Sequence, residues 1–490
     1  MTTKNYFCSF NNLKMEIKRG EEITIQIDDF AYGGKGITKI DIDQRPYVIF
    51  TLNAIPGQTV RAKVLKKKKS FAECRILEIL QRSEFEIESK HQPISGAPYI
   101  SLPIEKQHDF KKKSTIDLFK RIGGLNNVEE FFDEFIPSPN PFHYRNKMEY
   151  SFSTIKHDIH SNEELDDQFA LGFKHSGTWW KVEDLDKDSG MFDQEFENKL
   201  NEIREFLKAS ELPAWHPPSK IGFFRHLVVR KSFAQNKLLI NLVTSDQGLK
   251  KFKPNEFSNF LQDVLGNRLA GFIHTVNIDV ADRAKLENGS SQLIYGKEVI
   301  IENILKLDFE ISMESFFQTN PASAEKLYKK VIEYCHYKNS IDNQVVMDLF
   351  CGTGTIGQLI ANGIPSANVI GVDIVKSSID NAKKNAVDNK LSNIKFFAED
   401  AGKFILNHPE YINKIGTIIL DPPRAGIAPK TLRKVMQLEA KRIVYVSCNP
   451  STQARDAKEL TESGYRLLKF SLIDQFPHTG HIESIMLFEK

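Results

Sequence analysis

Hydrophobic positions change their period three times along the chain. In the first part, residues 22–28, 45–50, 59–65 and 72–79 are short runs in which apolar and polar side chains alternate. Period-two runs this short, broken by turn residues, predict a small β-barrel. Between the first two lies Ala31-Tyr-Gly-Gly-Lys-Gly-Ile, whose glycines permit φ > 0 and close backbone approach. The lysine run 66–69 after the third strand reads either as a solvated hairpin tip or as a patch facing phosphate. Residues 83–140 read as a linker and then a helix, because the apolar spacing over 115–122 is helical and stops at Gly123-Gly124. From 140 to 310 the pattern returns to strands, at 148–153, 169–174, 226–230 and 237–243, with a helix inserted at 195–210, which predicts a second, α+β domain. Tyr144-Arg-Asn-Lys, near its start, suits phosphate contacts with base stacking, or an ordinary polar turn. From 311 the order becomes helix, apolar strand, glycine loop, helix, strand. That order predicts an α/β, Rossmann-like doubly wound sheet. The expected domains are 15–82, 83–310 and 311–490.

Composition narrows the classes without choosing one. The 490 residues carry 66 Lys and Arg against 64 Asp and Glu, a formal net charge of +2, so any nucleic-acid contact comes from local patches. Cys8, Cys74, Cys335, Cys351 and Cys448 form no CxxC pair, which argues against a disulfide framework and a zinc site and for a reducing, cytoplasmic setting. No stretch approaches the ~20 apolar residues of a membrane span.

Chemistry concentrates at predicted strand ends, where open α/β sheets place their sites. Asp348-Leu-Phe-Cys-Gly-Thr-Gly runs from a strand into a glycine turn and a helix, and a second strand ends at Asp373. An aspartate before the glycines would repel a pyrophosphate but suits a sulfonium and an ammonium, which favours S-adenosylmethionine over a nicotinamide dinucleotide. A third strand ends in Glu399-Asp400, a fourth in Asp421-Pro-Pro-Arg, and a fifth, 442–446, in Ser447-Cys448-Asn449-Pro450. A lone cysteine is more often buried packing than a nucleophile. Its company here, a cofactor loop and a carboxylate, Glu483, at the start of the last strand, fits C5 methylation of a pyrimidine. That reaction needs a thiolate to add at C6 and a base to remove the C5 proton.

Phe316-Phe-Gln, Asp348-Leu-Phe-Cys-Gly-Thr-Gly, Asp421-Pro-Pro-Arg, Ser447-Cys-Asn-Pro and His481-Ile-Glu, in this order and spacing, resemble the RNA uracil-5-methyltransferases, and among them the 23S ribosomal RNA enzymes. The N-terminal segment resembles a TRAM domain, an RNA-binding module. The resemblance implies Cys448 as nucleophile and Glu483 as proton acceptor. It implies Gln318, Phe350, Asp373 and Asp421 around S-adenosylmethionine, with Thr355 from the loop, and Phe316 and Arg424 at the flipped-out uracil. An Asp421-Pro-Pro-Arg without cysteine separates the chain from RNA cytosine-5 enzymes. Many ribosomal members hold a four-cysteine iron–sulfur cluster, whereas the matching stretch 91–100 has no cysteine, so no cluster and no metal are expected. The partner expected is 23S ribosomal RNA, bound by a monomer. The tRNA relatives resemble the catalytic half without the barrel, so the barrel points to ribosomal RNA; the same chemistry on tRNA is one alternative. A non-catalytic RNA-binding assembly factor is another, which the presence of both Cys448 and Glu483 disfavours.

Overall fold

The structure, a computed structural model, describes residues 17–42, 45–158, 161, 163–284, 287–337 and 345–490. Residues 15 and 16 of the expected barrel, Cys8, and Gln344 before the cofactor strand lie outside the described residues. The alternating N-terminal runs form a six-stranded sheet in the order Glu22–Gln26, Thr59–Lys67, Phe71–Gln81, Arg45–Leu52, Gly36–Ile42, Asp29–Phe30. Its inward positions, Ile23, Ile25, Ile49, Val60, Ala62, Val64 and Ala72, make one core, and the lysines at 66–69 are exposed at the hairpin tip. A nine-stranded sheet follows in the central region, built on Lys147–Ser153, Phe224–Ser232, Lys237–Thr244 and Leu269–Asn277. The helix expected over 195–210 is two pieces, Gln194–Glu197 and Leu200–Lys208, the first capped by Asp193 accepting from the Phe196 N–H at 2.9 Å.

The third sheet has eight strands in the order Ile394–Ala398, Asn368–Asp373, Val345–Leu349, Ile415–Leu420, Arg442–Ser447, Glu483–Glu489, Arg466–Ile473, Phe132–Ile136. The first five are parallel, and all residues of Ile415–Leu420 and Arg442–Ser447 are buried, as expected for strands covered on both faces. Each fully buried Val, Ile or Leu there contributes about 1.5–3 kcal/mol. Glu483–Glu489 inserts antiparallel between Arg442–Ser447 and Arg466–Ile473. Among the described residues no helix is long and apolar enough to cross a membrane.

Residues 104–136 belong to this third sheet by contact, although their sequence reads as a linker and helix ahead of the central region. Phe132–Ile136 pairs in parallel with Arg466–Ile473, and the helix Ile104–Gly123 packs on Pro450–Glu462. The helix ends where its glycines predict, with Gly124 at φ 65°. Its inward face is polar at four-residue spacing, Gln107, Lys111 and Thr115, before Phe119. Lys111, in a Lys-Lys-Lys run that looks solvated, is buried and donates to Asp474 Oδ1 at 2.7 Å and to the Phe476 carbonyl at 3.0 Å. His108 Nε2 lies 3.1 Å from the other Asp474 oxygen. Burial alone would push the Asp474 carboxyl up; Lys111 and His108 overcome it and hold the group below its usual range. Removing one partner of such a pair strands a buried charge and costs about 3–5 kcal/mol. Lys111→Met is therefore expected to lower the thermal unfolding midpoint by several degrees, and adding Asp474→Asn to recover most of that loss, measured by calorimetry.

Candidate active site

The parallel strands finish at one edge, with Leu349 opposite Leu420 and Leu420 opposite Tyr445. Cys448 follows immediately after Ser447 there. Because the Glu483 strand runs the other way, with Ser447 paired to Ser484, its first residue rather than its last arrives at this edge. Cys448 is half-buried between the strand end and a helix N-terminus. Asn449 caps the helix Pro450–Glu462, its Oδ1 accepting from the Ser451 N–H at 3.2 Å, while Ser447 Oγ accepts from the Asn449 N–H at 3.1 Å. The Asn449 amide donates to the Arg424 carbonyl at 2.9 Å, which ties the Asp421-Pro-Pro-Arg turn to the cysteine loop. The structure thus brings Cys448, Glu483, Asp421 and Arg424 together.

The site carries an excess of acidic groups. Burial, then Glu483 and Asp421, pushes the Cys448 thiol up to about 11, against the pull of the Arg424 guanidinium. Burial raises Asp421 to about 7, and burial with Asp421 carries Glu483 well above the usual carboxylate range, again opposed by Arg424. Burial and the cations Arg424, Lys111 and Arg145 lower His481 to about 4, so its imidazole is neutral at ordinary pH. A guanidinium and a helix N-terminus favour thiolate; desolvation and two carboxyls oppose it.

The cofactor side is built around a strained turn. Phe350 has φ 64°, Gly352 54° and Gly354 72°, and a Cβ on Gly354 would meet the Phe396 ring at 2.4 Å. Asp373 accepts from the Gly352 N–H at 2.9 Å and the Val375 N–H at 2.8 Å, which holds the turn against the second strand. Thr355 opens the helix Thr355–Gly363 and is buried. The Gln318 carbonyl accepts from the Asn146 amide at 3.0 Å, and its Oε1 from the Gln475 amide at 3.4 Å. Asp348 departs from the charge argument made on sequence. Its side chain is fully buried, Oδ2 accepting from the Gly357 N–H at 2.9 Å, and burial with Asp421 raises it to about 8. It braces the turn from behind, with Oδ1 lacking a hydrogen-bond partner. The Asp373 carboxylate on the glycine turn fits a cationic cofactor better than a pyrophosphate.

Phe316 is 69% exposed, on the rim of a cavity of about 620 Å³ lined also by Arg145, Lys147, Arg230 and Ser315, a lining that includes neither Cys448 nor Arg424. Arg230, itself buried, donates to the Met313 and Ser315 carbonyls and so fixes the loop that carries Phe316. The Tyr144-to-Lys147 segment divides its labour. Tyr144 is buried, donating to the Pro477 carbonyl at 3.0 Å, so it stacks on no base, and Asn146 holds Gln318; only Arg145 and Lys147 face the cavity. Sequence reasoning missed Tyr32, from the barrel's glycine turn, whose phenol senses the charges of Glu483, Cys448 and Arg424. No local pattern signals a partner more than 400 residues away.

Two histidine–carboxylate groups have donor atoms close enough to share a metal ion: His91, His143 and Asp188, and His157, His175 and Glu183. In the first, His91 and His143 each already lie 2.9 Å from the Asp188 carboxylate, which staples the linker to two central loops.

Alkylation reads the electrostatic balance directly, since only thiolate reacts. The rate of iodoacetamide labelling of Cys448, followed by peptide mass spectrometry, is expected to rise about tenfold per pH unit from 7 to 10 without a plateau. Asp421→Asn, removing a negative neighbour, is expected to raise the rate at pH 8, and Arg424→Gln to lower it.

The family model for tRNA (uracil-5-)-methyltransferases matches residues 273–490. The chain is 34% identical to a protein of Clostridium tetani described only as an RNA methyltransferase, over 96% of this chain and 98% of the relative. It is 35% identical to another so described from Caldanaerobacter subterraneus, over 96% and 99%. The crystal structure of the Pyrococcus abyssi tRNA (uracil-54, C5)-methyltransferase with S-adenosyl-L-homocysteine superposes with a TM-score of 0.70 at 25% identity, covering 95% of this chain and 100% of that one. With its glycine turn, acidic strand ends and full-length relatives, the chain belongs to the S-adenosylmethionine-dependent RNA (uracil-5-)-methyltransferase family.

Proposed function

We propose that this chain methylates C5 of a uracil in structured RNA through a covalent bond between Cys448 and C6 of the base. The observation that carries the reading is the antiparallel register of Ser447 with Ser484, which delivers a thiol and a carboxyl to one strand edge beside a guanidinium. S-adenosylmethionine, held by the glycine turn with Gln318, Phe350, Thr355, Asp373 and Asp421, supplies the methyl group. Cys448, its proton lost to solvent, adds as thiolate to C6 and moves an electron pair toward C5, making that carbon the nucleophile that would take the methyl as the sulfonium–methyl bond breaks and S-adenosylhomocysteine leaves. Glu483, as carboxylate, removes the C5 proton, and the released pair re-forms the C5–C6 double bond and expels the Cys448 thiolate. Arg424, beside the thiol, offsets negative charge as the thiolate forms. Phe316 presents an exposed aromatic face to an unstacked base. Cys74, Cys335, Cys351 and Cys448 are all free, which supports a reducing, cytoplasmic setting.

We assign the RNA to 23S ribosomal RNA on the resemblance of the chain, TRAM-like N-terminal segment included, to the 23S enzymes; the motifs of the C-terminal half are shared with the tRNA (uracil-5-)-methyltransferases, whose family model matches residues 273–490. A second reading, tRNA, is favoured by the Pyrococcus abyssi enzyme. That tRNA methyltransferase aligns with 95% of this chain, so the match extends into the N-terminal sheet and the barrel does not separate the two classes.

With 5-fluorouridine-substituted RNA and S-adenosylmethionine, the wild-type chain is expected to give a protein–RNA adduct stable on a denaturing gel, because fluorine at C5 cannot leave as a proton. Cys448→Ala is expected to give none, and absence of the wild-type adduct with every RNA would refute the mechanism. Glu483→Gln is expected to lose at least a hundredfold in turnover and to accumulate the adduct with ordinary uridine, since addition proceeds and elimination lacks its base. For the substrate, nucleoside mass spectrometry of fractionated RNA from a deletion strain is expected to show 5-methyluridine lost from 23S ribosomal RNA; loss from tRNA alone selects the second reading.

A further inference from the structure

The barrel meets the catalytic edge through its glycine turn. Residues 31–35 close on themselves, with the Ala31 N–H donating to the Lys35 carbonyl at 2.8 Å and the Gly34 N–H to the Ala31 carbonyl at 3.0 Å. Gly33 and Gly34 both sit at φ 86°, a conformation that side chains disfavour. The turn then touches Gly480 backbone to backbone. A Cβ on Gly480 would stand 2.6 Å from Gly34 Cα and 2.7 Å from the Gly33 carbonyl carbon, and a Cβ on Gly34 2.8 Å from the Tyr99 hydroxyl. The Tyr99 N–H donates to the His478 carbonyl at 3.0 Å, so the loop leading to Glu483 is gripped on the same side. Gly480 precedes Glu483 by three positions. At Gly480 nothing larger than hydrogen fits without parting the two backbones, while a side chain on Gly34 would displace the Tyr99 hydroxyl and press on Gly480 at 3.1 Å.

This contact sets the place of Tyr32, the residue before Gly33. Its ring packs on the apolar cluster of the catalytic sheet that contains Leu349, Leu420, Tyr445 and Ile482. Its hydroxyl lies within electrostatic range of Glu483, Cys448 and Arg424 together, and burial with the first two keeps it protonated well beyond the usual tyrosine range. A uracil attacked by Cys448 and deprotonated by Glu483 must occupy the space those three residues share. A uracil edge offers two carbonyl acceptors, and a neutral phenol offers an aromatic face and one O–H donor.

We propose that Tyr32 is a positioning residue for the uracil, its hydroxyl donating to a carbonyl of the base, so that the N-terminal barrel completes the catalytic site as well as gripping RNA. This rests on the reading of Cys448 and Glu483 as nucleophile and base. A tyrosine that only docks the barrel would affect stability or RNA affinity; one that orients the base slows the reaction once RNA is bound.

The test uses the full chain with Tyr32→Phe and Tyr32→Ala, single-turnover methylation of RNA from the deletion strain at saturating RNA and S-adenosylmethionine, and RNA affinity by filter binding. Tyr32→Phe, which keeps the ring and removes only the hydroxyl, is expected to lower the single-turnover rate at least fivefold with the RNA dissociation constant within threefold of wild type. Tyr32→Ala is expected to lower the rate further, and both to slow adduct formation with 5-fluorouridine RNA. A Tyr32→Phe rate equal to wild type overturns the proposal, whether or not Tyr32→Ala folds, as does weakened RNA affinity with an unchanged rate at saturation. A wild-type chain that forms no adduct with any RNA would instead defeat the underlying mechanism, which keeps the two failures apart.

Discussion

Ser447 faces Ser484 across an antiparallel pair, and the meeting of Cys448 with Glu483 at one sheet edge depends on that register. In an all-parallel sheet the first residue of the last strand would emerge at the edge opposite the active site. Reversing one strand brings Glu483 to the C-terminal edge of its neighbours, where the Arg442–Ser447 strand releases Cys448. A shift of one residue would turn Glu483 to the other face of the sheet, because side chains alternate with period two. The register is in turn held by burial: every residue of Arg442–Ser447 is enclosed, and Ile485, Met486, Leu487 and Phe488 are buried on the partner strand.

The same enclosure makes the site electrostatically reluctant. Cys448, Glu483, Asp421 and Asp348 are all pushed toward their neutral forms, chiefly by desolvation and then by one another, and Arg424 is the counter-charge that recurs at Cys448 and Glu483. Such a cluster favours whatever brings positive charge among its carboxyl groups, as a sulfonium cofactor does, and that addition moves each acidic group back toward ionisation.

Around this edge the chain adds supports drawn from distant sequence. The helix Ile104–Gly123 inserts Gln107 and Lys111 against the 474–479 loop, Gln107 donating to the Tyr99 and Leu102 carbonyls while its Oε1 accepts from the His478 N–H. Asn320 reaches the Gln475 carbonyl and Asn146 the Gln318 carbonyl, so the segment 318–320, the Tyr144–Lys147 segment and the loop that leads to Glu483 share one hydrogen-bonded frame. The barrel's glycine turn closes the same loop from outside.

The sequence by itself determined most of the elements and the residues that stand at their ends. Period-two runs marked the N-terminal sheet, the glycine turn after an apolar strand stands where it was expected, and the strands ending at Leu420 and Ser447 bring Asp421 and Cys448 to one edge, because local sterics and amphipathic burial act within a few residues. Gly124 ended its helix where predicted for the same reason. Tertiary structure alone decided what depends on burial and on contacts between far-separated segments. Tyr144 turned inward although its neighbours suggest an RNA contact, Asp348 went behind the turn it was expected to face, and Lys111 sank from a lysine run into an ion pair. Tyr32 reached the active site because two glycine backbones touch, a contact that neither local periodicity nor charge pattern encodes. Periodicity reports which face of an element is apolar; which other element covers that face is settled only when the whole chain is packed.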